Sequence, residues 1–324
     1  MPIYVAPKEQ PFGYIRTLLG NLVRNFDADP SNSRKQIRDL LERDPERFYA
    51  SSLEVLKASD KSRGVQYVVS LLVANGMLLK ALCDPHVSRD VALTIGRAAV
   101  QADPMSDVTL ARDLADHATG SHKAEPASLA RAMDILSEIA DAARIMPALM
   151  RMMRHPNARL RSKAVKMIGR GNRSPKWVSG RLNDPDPRVR ANAVESLWGV
   201  DTPESRGLLN AAVKDNDNRV AGNAMLGLYY LGEPSVLTEI VKMAAHESAR
   251  FRSSAAWVMG ETGDSRFTEA LRHLIAEPDV TVRKRAFAAL VRIKAAQGHP
   301  PSAAPESTVA APAEEPPTGG SRAS

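Results

Sequence analysis

The sequence contains few aromatic residues and a single cysteine. Aromatic residues make up 5% of the 324 residues, and Cys83 is the one thiol. One cysteine excludes an internal disulfide and a cysteine-rich zinc site. Because Cys83 follows the apolar run 77–82, we expect a buried structural thiol rather than a reactive one. With few aromatics and abundant alanine and leucine, the composition favours helices over sheets.

Long apolar runs and recognisable catalytic motifs are also missing. No apolar run approaches the roughly 18 residues of a membrane span, and the first residues show no basic-then-apolar leader, so we expect a cytoplasmic protein without a membrane segment. The sequence has no phosphate-binding loop, dinucleotide fingerprint or nucleophile elbow. His117 and His122 have weak metal-ligand spacing. We therefore expect no cofactor and no metal. Whether the chain is an enzyme stays open, and a non-enzyme is favoured.

A phrase of four residues recurs in the C-terminal half at a nearly constant step. Five segments end in alanine at 164, 193, 224, 255 and 286, which gives steps of 29, 31, 31 and 31 residues. Four of them begin with arginine, at Arg161, Arg190, Arg252 and Arg283, and the third begins with Ala221. A near-constant step over five copies predicts a stack of one supersecondary unit.

Each copy predicts a helix, a tight turn and a second helix. We number positions from the first residue of the phrase, so that position 0 of copies 1 to 5 is residue 161, 190, 221, 252 and 283. Positions −1, +3 and +7 are apolar in every copy and form one stripe on an α-helix. Position +11 of copies 1 to 4 is Asn, Asp or Gly, which predicts a helix end in the left-handed conformation. Position −6 is polar in all five copies, where a side chain can cap the following helix or pair with an arginine of its own or the next copy.

This combination resembles the HEAT family, in particular its short bacterial form, the phycobilisome-lyase-type HEAT-like repeat. Residues 184–193 look like the core of that repeat, and residues 259–264 look like its inter-helix turn. The resemblance implies an all-α fold, a right-handed α-solenoid of stacked antiparallel helix pairs (a HEAT-like or armadillo-type superhelix). The family contains scaffolds, regulators, chromophore-attachment factors and some DNA-repair enzymes, so the resemblance leaves the activity open.

Three regions are predicted along the chain. Residues 1–120 are a helical N-terminal region of degenerate or capping repeats, with the repeat core echoed at 84–92, and a separate helical domain is the alternative there. Residues 121–295 form the repeat solenoid. Residues 296–324 contain six prolines and one larger aliphatic residue, Val309, which predicts a disordered tail.

Acidic residues are absent from residues 142–183. This stretch carries eleven Lys and Arg residues, whereas the net charge of the whole chain is +7. If these cations are unpaired, they create a positive potential that attracts an acidic partner. The alternative is a solvated basic face that keeps the protein in solution. The eleven cations are Arg144, Arg151, Arg154, Arg159, Arg161, Lys163, Lys166, Arg170, Arg173, Lys176 and Arg181.

The helical register and the resemblance together indicate which residues face a partner. Positions +2, +5 and +9 lie along one face away from the apolar stripe, and in HEAT-like proteins the helix carrying the repeat core lines a concave surface. The candidates for partner binding in this groove are Lys163, Lys166, Arg170, Asn192, Asn223, Tyr230, Trp257, Arg285 and Arg292. The candidates for a structural ladder between copies are Arg161, Asp184, Arg190, Asp215, Arg252, Glu277 and Arg283. Trp198, at position +8, is expected in the core.

Three functions remain open at this point. We favour a monomeric, non-enzymatic scaffold that binds a protein partner, acidic in character, through its concave face. A nucleic-acid-binding or HEAT-like DNA-repair protein is the alternative; it would use the cations of residues 144–181, and its binding would depend steeply on salt. An accessory lyase or assembly factor is the third, and it follows from the family resemblance alone.

Overall fold

The computed structural model describes residues 12–56, 62–119, 125–171 and 173–298. This part of the chain contains eighteen α-helices, one short 3₁₀ turn (Ser265–Phe267) and no strand, which confirms the predicted all-α fold. The chain divides into two compact units, with the boundary between Pro234 and Ser235.

The first unit contains fourteen of the helices within the described ranges. They are α1 (Phe12–Arg24), α2 (Pro30–Arg43), α3 (Pro45–Leu56), α4 (Arg63–Ala74), α5 (Met77–Cys83), α6 (Arg89–Ala102), α7 (Ser106–Thr119), α8 (Pro126–Ile139), α9 (Met146–Met152), α10 (Ala158–Gly171), α11 (Pro175–Ser179), α12 (Pro187–Glu195), α13 (Pro203–Ala212) and α14 (Asn218–Tyr230). The second unit contains α15 (Val236–Ala244), α16 (Ala249–Thr262), α17 (Thr268–Ile275) and α18 (Val280–Gly298).

The helices of the first unit pack in two rows behind a three-helix start. Helices α4, α6, α8, α10, α12 and α14 lie side by side, each against the next. In the other row α5 packs on α7, α7 on α9, and α11 on α13. Helices α1, α2 and α3 pack on one another, and α1 and α3 also contact α4. The row therefore includes helices on both sides of residue 120, and the predicted division of the chain at that residue stays a prediction.

The second unit repeats the two-row arrangement by itself. Helix α16 packs on α18 in one row, α15 packs on α17 in the other, and α15 and α17 pack on α16 and α18 respectively. Helices α10, α12, α14, α16 and α18 carry the recurring phrase, and within each unit these helices pack against one another.

The apolar stripe predicted at positions −1, +3 and +7 is buried. In copy 1, Leu160, Ala164 and Ile168 are each 0% exposed. Burying a leucine- or isoleucine-sized side chain contributes about 1.5–3 kcal/mol, so the stripe of each copy is a main source of its stability. Alanine in the middle of the stripe keeps neighbouring helices close together.

The turn before each of these helices differs in detail from the prediction that position −6 caps the helix. The capping side chain is at position −4: Asn157 accepts from Arg159 N at 2.9 Å, and Asp217 accepts from Arg219 N at 2.9 Å. The side chain at −6 accepts from the backbone N–H of residue −4 instead, as Asp215 does from Asp217 at 2.9 Å. The polar residue at −6 therefore shapes the turn, and the residue two positions later satisfies the free N–H groups of the helix.

In copies 2 to 4 the left-handed residue after the helix is a glycine, and its position in the repeat varies. Gly232 and Gly263, at position +11, have φ of 71° and 65°. In copy 2 the left-handed residue is Gly199 with φ of 76°, and the predicted Asp201 is not used. Glycine lacks the Cβ that makes this conformation costly, so α12 ends early, at Glu195. Asn172, at position +11 of copy 1, lies outside the described residues.

None of the described helices is by itself long and apolar enough to cross a membrane. Helices α4 and α5 meet that criterion only as a pair, and they are bent by 96° where they join. At the other end of the chain, α18 continues to Gly298. The remainder of the predicted tail, 299–324, lies outside the described residues.

Candidate functional site

A ladder of arginine side chains connects consecutive copies. Arg161 on α10 donates from Nη1 to the carbonyl oxygens of His155 and Pro156, at 3.1 and 2.9 Å. Its Nε and Nη2 donate to the carboxylate of Asp184, in the turn of the next copy, at 3.0 and 2.8 Å. The two side chains are 14% and 11% exposed. This paired geometry is the strong form of a charge-assisted hydrogen bond, and here it joins two adjacent copies.

The same contacts recur elsewhere in both units. Arg190 donates to both carboxylate oxygens of Asp215 at 2.8 Å, and Arg252 donates to Glu277 at 2.9 Å. Burial alone would raise the pKa of Asp215, but the hydrogen bonds from Arg190 and from the backbone N–H of Asp217 outweigh it and lower that pKa. The pKa of Arg190 is raised by its hydrogen bond to Asp215.

Two copies have histidine in place of the acid, and each follows a copy without the arginine. His155 occupies position −6 of copy 1; counting from Ala132 in the preceding segment puts Leu129 at position 0. His246 occupies position −6 of copy 4, after Ala221 in copy 3. Each imidazole accepts from the backbone two residues later, at 2.9 Å for His155 and 3.0 Å for His246. Histidine therefore forms the same turn as the acid does, in the two copies where the preceding copy has no ladder arginine for an acid to pair with.

The structure corrects the assumption that the eleven cations of residues 142–183 are unpaired. Four of them contact carboxylates. The pairs are Arg144 with Asp107, Arg151 with Asp116, Lys163 with Asp134, and Arg161 with Asp184. Three of these acids lie on α7 and α8, before residue 142, and the fourth follows residue 183. These ion pairs form between segments that are neighbours in the fold but separate in sequence, so the charge of residues 142–183 alone does not reveal them.

Seven cations of the stretch remain without a carboxylate partner in the described part of the chain. They are Arg154, Arg159, Lys166, Arg170, Arg173, Lys176 and Arg181. Arg154 lies in the turn before α10, Arg159 lies in the first turn of α10, and Arg173 and Lys176 lie around the start of α11. Lys166 and Arg170 lie on α10 at positions +5 and +9, the face predicted to meet a partner.

A carboxylate that is not among the partner-binding candidates lies beside Lys166 and Arg170. Glu195 is at position +5 of α12, it is half-buried, and no ion pair is formed by it within the described ranges. Burial raises its pKa, against the opposing charges of Lys166, Arg170 and Arg219. Three cations therefore approach one poorly solvated carboxylate on the surface shared by α10, α12 and α14.

An arginine at position −2 is a second feature that was missed. Arg159, Arg188, Arg219 and Arg250 occupy this position in four of the five copies. Position −2 is four residues before +2, so it extends the same helical face toward the turn. Arg188 pairs with Asp186, two residues before it, at 2.9 Å. A comparison of all five copies at −2 would have revealed the pattern in the sequence.

We call the surface formed by Arg159, Lys166, Arg170 and Arg219 the basic face. Its residues come from α10 and α14, and Glu195 of α12 lies between them along the row. Arg159 and Arg170 are exposed, and Lys166 and Arg219 are half-buried. None of the four contacts a carboxylate at ion-pair distance among residues that the structure describes.

Several other groove candidates are used to connect helices. Lys163 pairs with Asp134 on α8, and Asn192 donates to Ser162 on α10 at 2.9 Å. Asn223 is 8% exposed and donates to the carbonyl oxygen of Ala191 at 3.2 Å. Position +2 therefore reaches back to the preceding helix of the row. Because Asn223 is buried, it does not offer its amide to a partner.

The aromatic candidates in the first unit form a small packed cluster. Trp198 is half-buried and donates from Nε1 to the carbonyl oxygen of Asn223 at 2.8 Å. Tyr230 is 40% exposed, and its ring meets that of Trp198 edge-on at 5.8 Å. Gly227 makes the contact possible, since a Cβ there would lie 2.9 Å from Trp198 Cδ1. The packing of Trp198 follows from its place at +8.

The candidates in the second unit are placed differently. Trp257 is half-buried, and Arg285 is half-buried on α18. Arg292 pairs with Glu261 of α16, position +9 against position +9. Arg283, the last ladder candidate, donates to the carbonyl oxygens of Glu277 and Pro278, each at 2.7 Å.

The thiol lies on α5, which carries none of the residues of the basic face. Cys83 is half-buried at the end of α5, where burial raises the pKa of its thiol to about 11 against the nearby charge of Arg131. No group of three or more His, Cys, Asp or Glu residues suited to a metal occurs in the described ranges. His122 lies outside them.

Comparison with known proteins gives one family match. Residues 174–253 match the family described as HEAT repeats. No curated protein matches the chain. The X-ray structure of the Escherichia coli protein YibA is 16% identical, with 90% of this chain and 99% of that chain covered and a TM-score of 0.43.

Two further solved structures are similar at lower scores. An engineered protein is 15% identical, with 88% of this chain and 86% of that chain covered and a TM-score of 0.34. Human deoxyhypusine hydroxylase, solved in complex with glycerol, is 14% identical, with 88% and 100% covered and a TM-score of 0.34. The assignment to phycobilisome-lyase-type repeats stays a prediction. The match of residues 174–253 to HEAT repeats confirms, over that part of the chain, the family predicted from the recurring phrase.

Proposed function

We propose that the chain is a non-enzymatic HEAT-repeat scaffold that binds an acidic segment of a protein partner on the basic face. The observation that carries this proposal is the set of four cations, Arg159, Lys166, Arg170 and Arg219, without a carboxylate partner among the described residues. Elsewhere in the same row cations such as Lys163 are paired. Four cations without an ion-pair partner among the described residues favour a binding partner that supplies the negative charge.

Glu195 favours a protein segment over a nucleic-acid backbone. A phosphate chain laid across the basic face would approach this half-buried carboxylate and be repelled by it. A peptide can place its carboxylates on Lys166 and Arg170 and a hydroxyl or amide donor on Glu195. The indole of Trp198 is packed and hydrogen-bonded, so it is not a free platform for stacking a base.

Binding of labelled probes to the purified full chain tests the proposal. The probes are a fluorescein-labelled Asp- and Glu-rich peptide containing serines, a DNA duplex and a single-stranded DNA, each at low and moderate salt. We expect Lys166→Glu with Arg170→Glu to weaken peptide binding roughly tenfold or more, since each reversed charge removes an attraction and adds a repulsion. The matched control is Arg173→Glu with Lys176→Glu, which changes the net charge equally at two cations outside the four residues that define the face.

Glu195→Gln sharpens the same experiment. Removing the carboxylate removes a repulsion for phosphate, so DNA is expected to bind more tightly to this variant than to the wild type, whereas the peptide, which can donate a hydroxyl or amide to Glu195, gains nothing from the change. If the Lys166/Arg170 and Arg173/Lys176 variants weaken peptide binding equally, the effect comes from the net charge of the protein and the proposal is contradicted. Stronger binding of DNA than of the peptide, with a steep salt dependence, would instead support the nucleic-acid alternative.

A further inference from the structure

The last described helix of the second unit presents an apolar stripe to solvent. Val280, Phe287 and Val291 on α18 are 53%, 63% and 53% exposed. They are seven and four residues apart, so they lie along one side of the helix, with Lys284 between the first two. At the position of Phe287 the other four copies bury the corresponding side chain.

The repeat register identifies what this stripe corresponds to. Phe287 is at position +4 of copy 5, where copies 1, 2 and 4 have Val165, Val194 and Ala256, each 0% exposed. Val291 is at position +8, where copy 4 has Gly260. A Cβ on Gly260 would lie 2.9 Å from the Cβ of Ala289, on the next helix of its row.

Copy 1 shows the same direction of packing within the first unit. A Cβ on Gly169, at position +8, would lie 2.7 Å from the Cβ of Ser196 on the next helix of the row. Positions +4 and +8 are therefore the side of a repeat helix that meets the next copy. On α18 this side carries Phe287 and Val291, and in the described part of the chain no helix follows it.

The ladder at α18 is also left incomplete. Arg283 makes the same two backbone hydrogen bonds as the other ladder arginines, to residues −6 and −5. In copies 1, 2 and 4 the arginine also holds a carboxylate in the turn of the next copy, 23 to 25 residues further along the chain. For Arg283 no such carboxylate is found among the described residues. The apolar side and the ladder end at the same helix.

We propose that this end of the second unit binds an acidic amphipathic helix of a partner protein, packed on Phe287 and Val291 as a further repeat helix would pack. The partner supplies a carboxylate to Arg283 from the turn before its helix. The surface is continuous with the packing that already joins α16 to α18, so the partner extends an existing interface. The proposal concerns the second unit alone and does not depend on the basic face.

Charge favours an acidic partner over a second copy of the same helix. Residues 280–298 contain five cations and no acid. Lys284 and Lys294 are exposed, and Lys284 lies on the stripe. Two copies of α18 packed through this side would bring like charges together, whereas a helix bearing Glu or Asp beside its apolar residues would neutralise them.

A synthetic helix pair tests the proposal with the full chain. The probe is a labelled peptide of residues 202–232, the helix pair that continues the row from α12, with Lys214→Glu and Arg219→Glu to make it acidic. It retains Asp215 as the carboxylate for Arg283. We expect saturable binding that weakens about tenfold with Phe287→Glu in the protein, and about tenfold with Asp215→Asn in the peptide. Phe287 is exposed, so its substitution leaves the fold intact.

The remaining arms separate this site from other occupants. Binding is measured in a chain that carries Lys166→Glu with Arg170→Glu, so that the basic face of the first unit does not take up the acidic probe. Binding in this background that is absent, or that is insensitive to Phe287→Glu, would overturn the proposal. A full chain that dimerises in sedimentation and becomes monomeric on Phe287→Glu would assign the stripe to a second copy, which also overturns it.

A chimeric chain tests the same packing without requiring the isolated peptide to fold by itself. Residues 1–294 followed by a second copy of residues 202–232, with the same two substitutions, place the added helix pair in the 31-residue register of copies 2 and 3. We expect this chain to unfold at a higher temperature than the same chimera carrying Phe287→Glu, because covalent linkage raises the effective concentration of the added pair. Equal unfolding temperatures would show that the stripe does not accept a repeat helix and would overturn the proposal. If the full chain does not bind the peptide but a chain without residues 299–324 does, the stripe is the binding site of the tail, which also overturns the proposal.

Discussion

Removing the charge of Asp215 should destabilise the first unit far more than removing an exposed charge. Asp215 accepts two hydrogen bonds from Arg190 at 2.8 Å, and the side chains are 13% and 15% exposed. Hydrogen bonds to charged groups contribute about 1.5–3 kcal/mol each, and asparagine keeps one uncharged acceptor. We therefore expect Asp215→Asn to lower the free energy of unfolding by about 2 kcal/mol, through the loss of one bond and the poorly solvated guanidinium left behind.

Urea unfolding followed by far-ultraviolet circular dichroism measures this loss. The matched control is Glu46→Gln, whose carboxylate also contacts a cation at 2.7 Å, namely Lys80, but whose side chain is 81% exposed. Exposed pairs contribute little, so this change should stay within about 0.5 kcal/mol. Arg190→Met combined with Asp215→Asn should cost clearly less than the sum of the single changes. Similar losses for Asp215→Asn and Glu46→Gln would refute a stabilising role for the ladder.

Three further predictions concern titration, packing and reactivity. The pKa of Asp184 and of Asp215 is lowered from 3.8, so the stability that these ionised carboxylates contribute is complete above about pH 4 and is lost as pH falls through the lowered values. The variant with both residues changed to asparagine should therefore lose less unfolding free energy on acidification than the wild type. An acid profile identical to that of the wild type would contradict this. Gly227→Ala adds a Cβ 2.9 Å from Trp198 Cδ1, which should cost about 1–3 kcal/mol and shift tryptophan fluorescence, whereas an unaltered spectrum and stability would show that the indole gives way freely. With a thiol pKa of about 11, Cys83 should react with iodoacetamide at pH 8 roughly a hundredfold more slowly than free cysteine and recover ordinary reactivity in urea; fast labelling of the folded protein would refute the role of burial.

The helical repeat could be predicted because its signals are local and recur. The apolar stripe depends on residues four positions apart, and five copies at an almost fixed step confirm one another. The cap was placed two residues too early, at −6, because both −6 and −4 carry polar side chains in the turn. Only the backbone path shows which of them meets the first N–H groups of the helix, as Asp217 does.

The candidate site was harder to predict because charge pairing depends on neighbouring helices. Lys163 was expected to face a partner, yet its carboxylate partner, Asp134, is on the preceding helix of the row. Glu195 occupies position +5 on the predicted groove face, but it lies outside the acid-free stretch and its place beside the cations was not predicted. It comes beside Lys166 and Arg170 only because α12 packs against α10. Residue spacing along one helix contains no information about that juxtaposition.

The pairing of arginine with the acid of the following copy constrains how such an array can lengthen or shorten during evolution. Copy 2 carries both halves of the ladder, Asp184 in its turn and Arg190 on its helix, so duplicating it in tandem would create new matched pairs at every junction. A copy that begins with a histidine, such as His155, fits only behind a copy without the arginine. The order of the copies is thus restricted by side-chain chemistry at their junctions, and duplication or loss of one 31-residue segment is tolerated only at particular places in the gene.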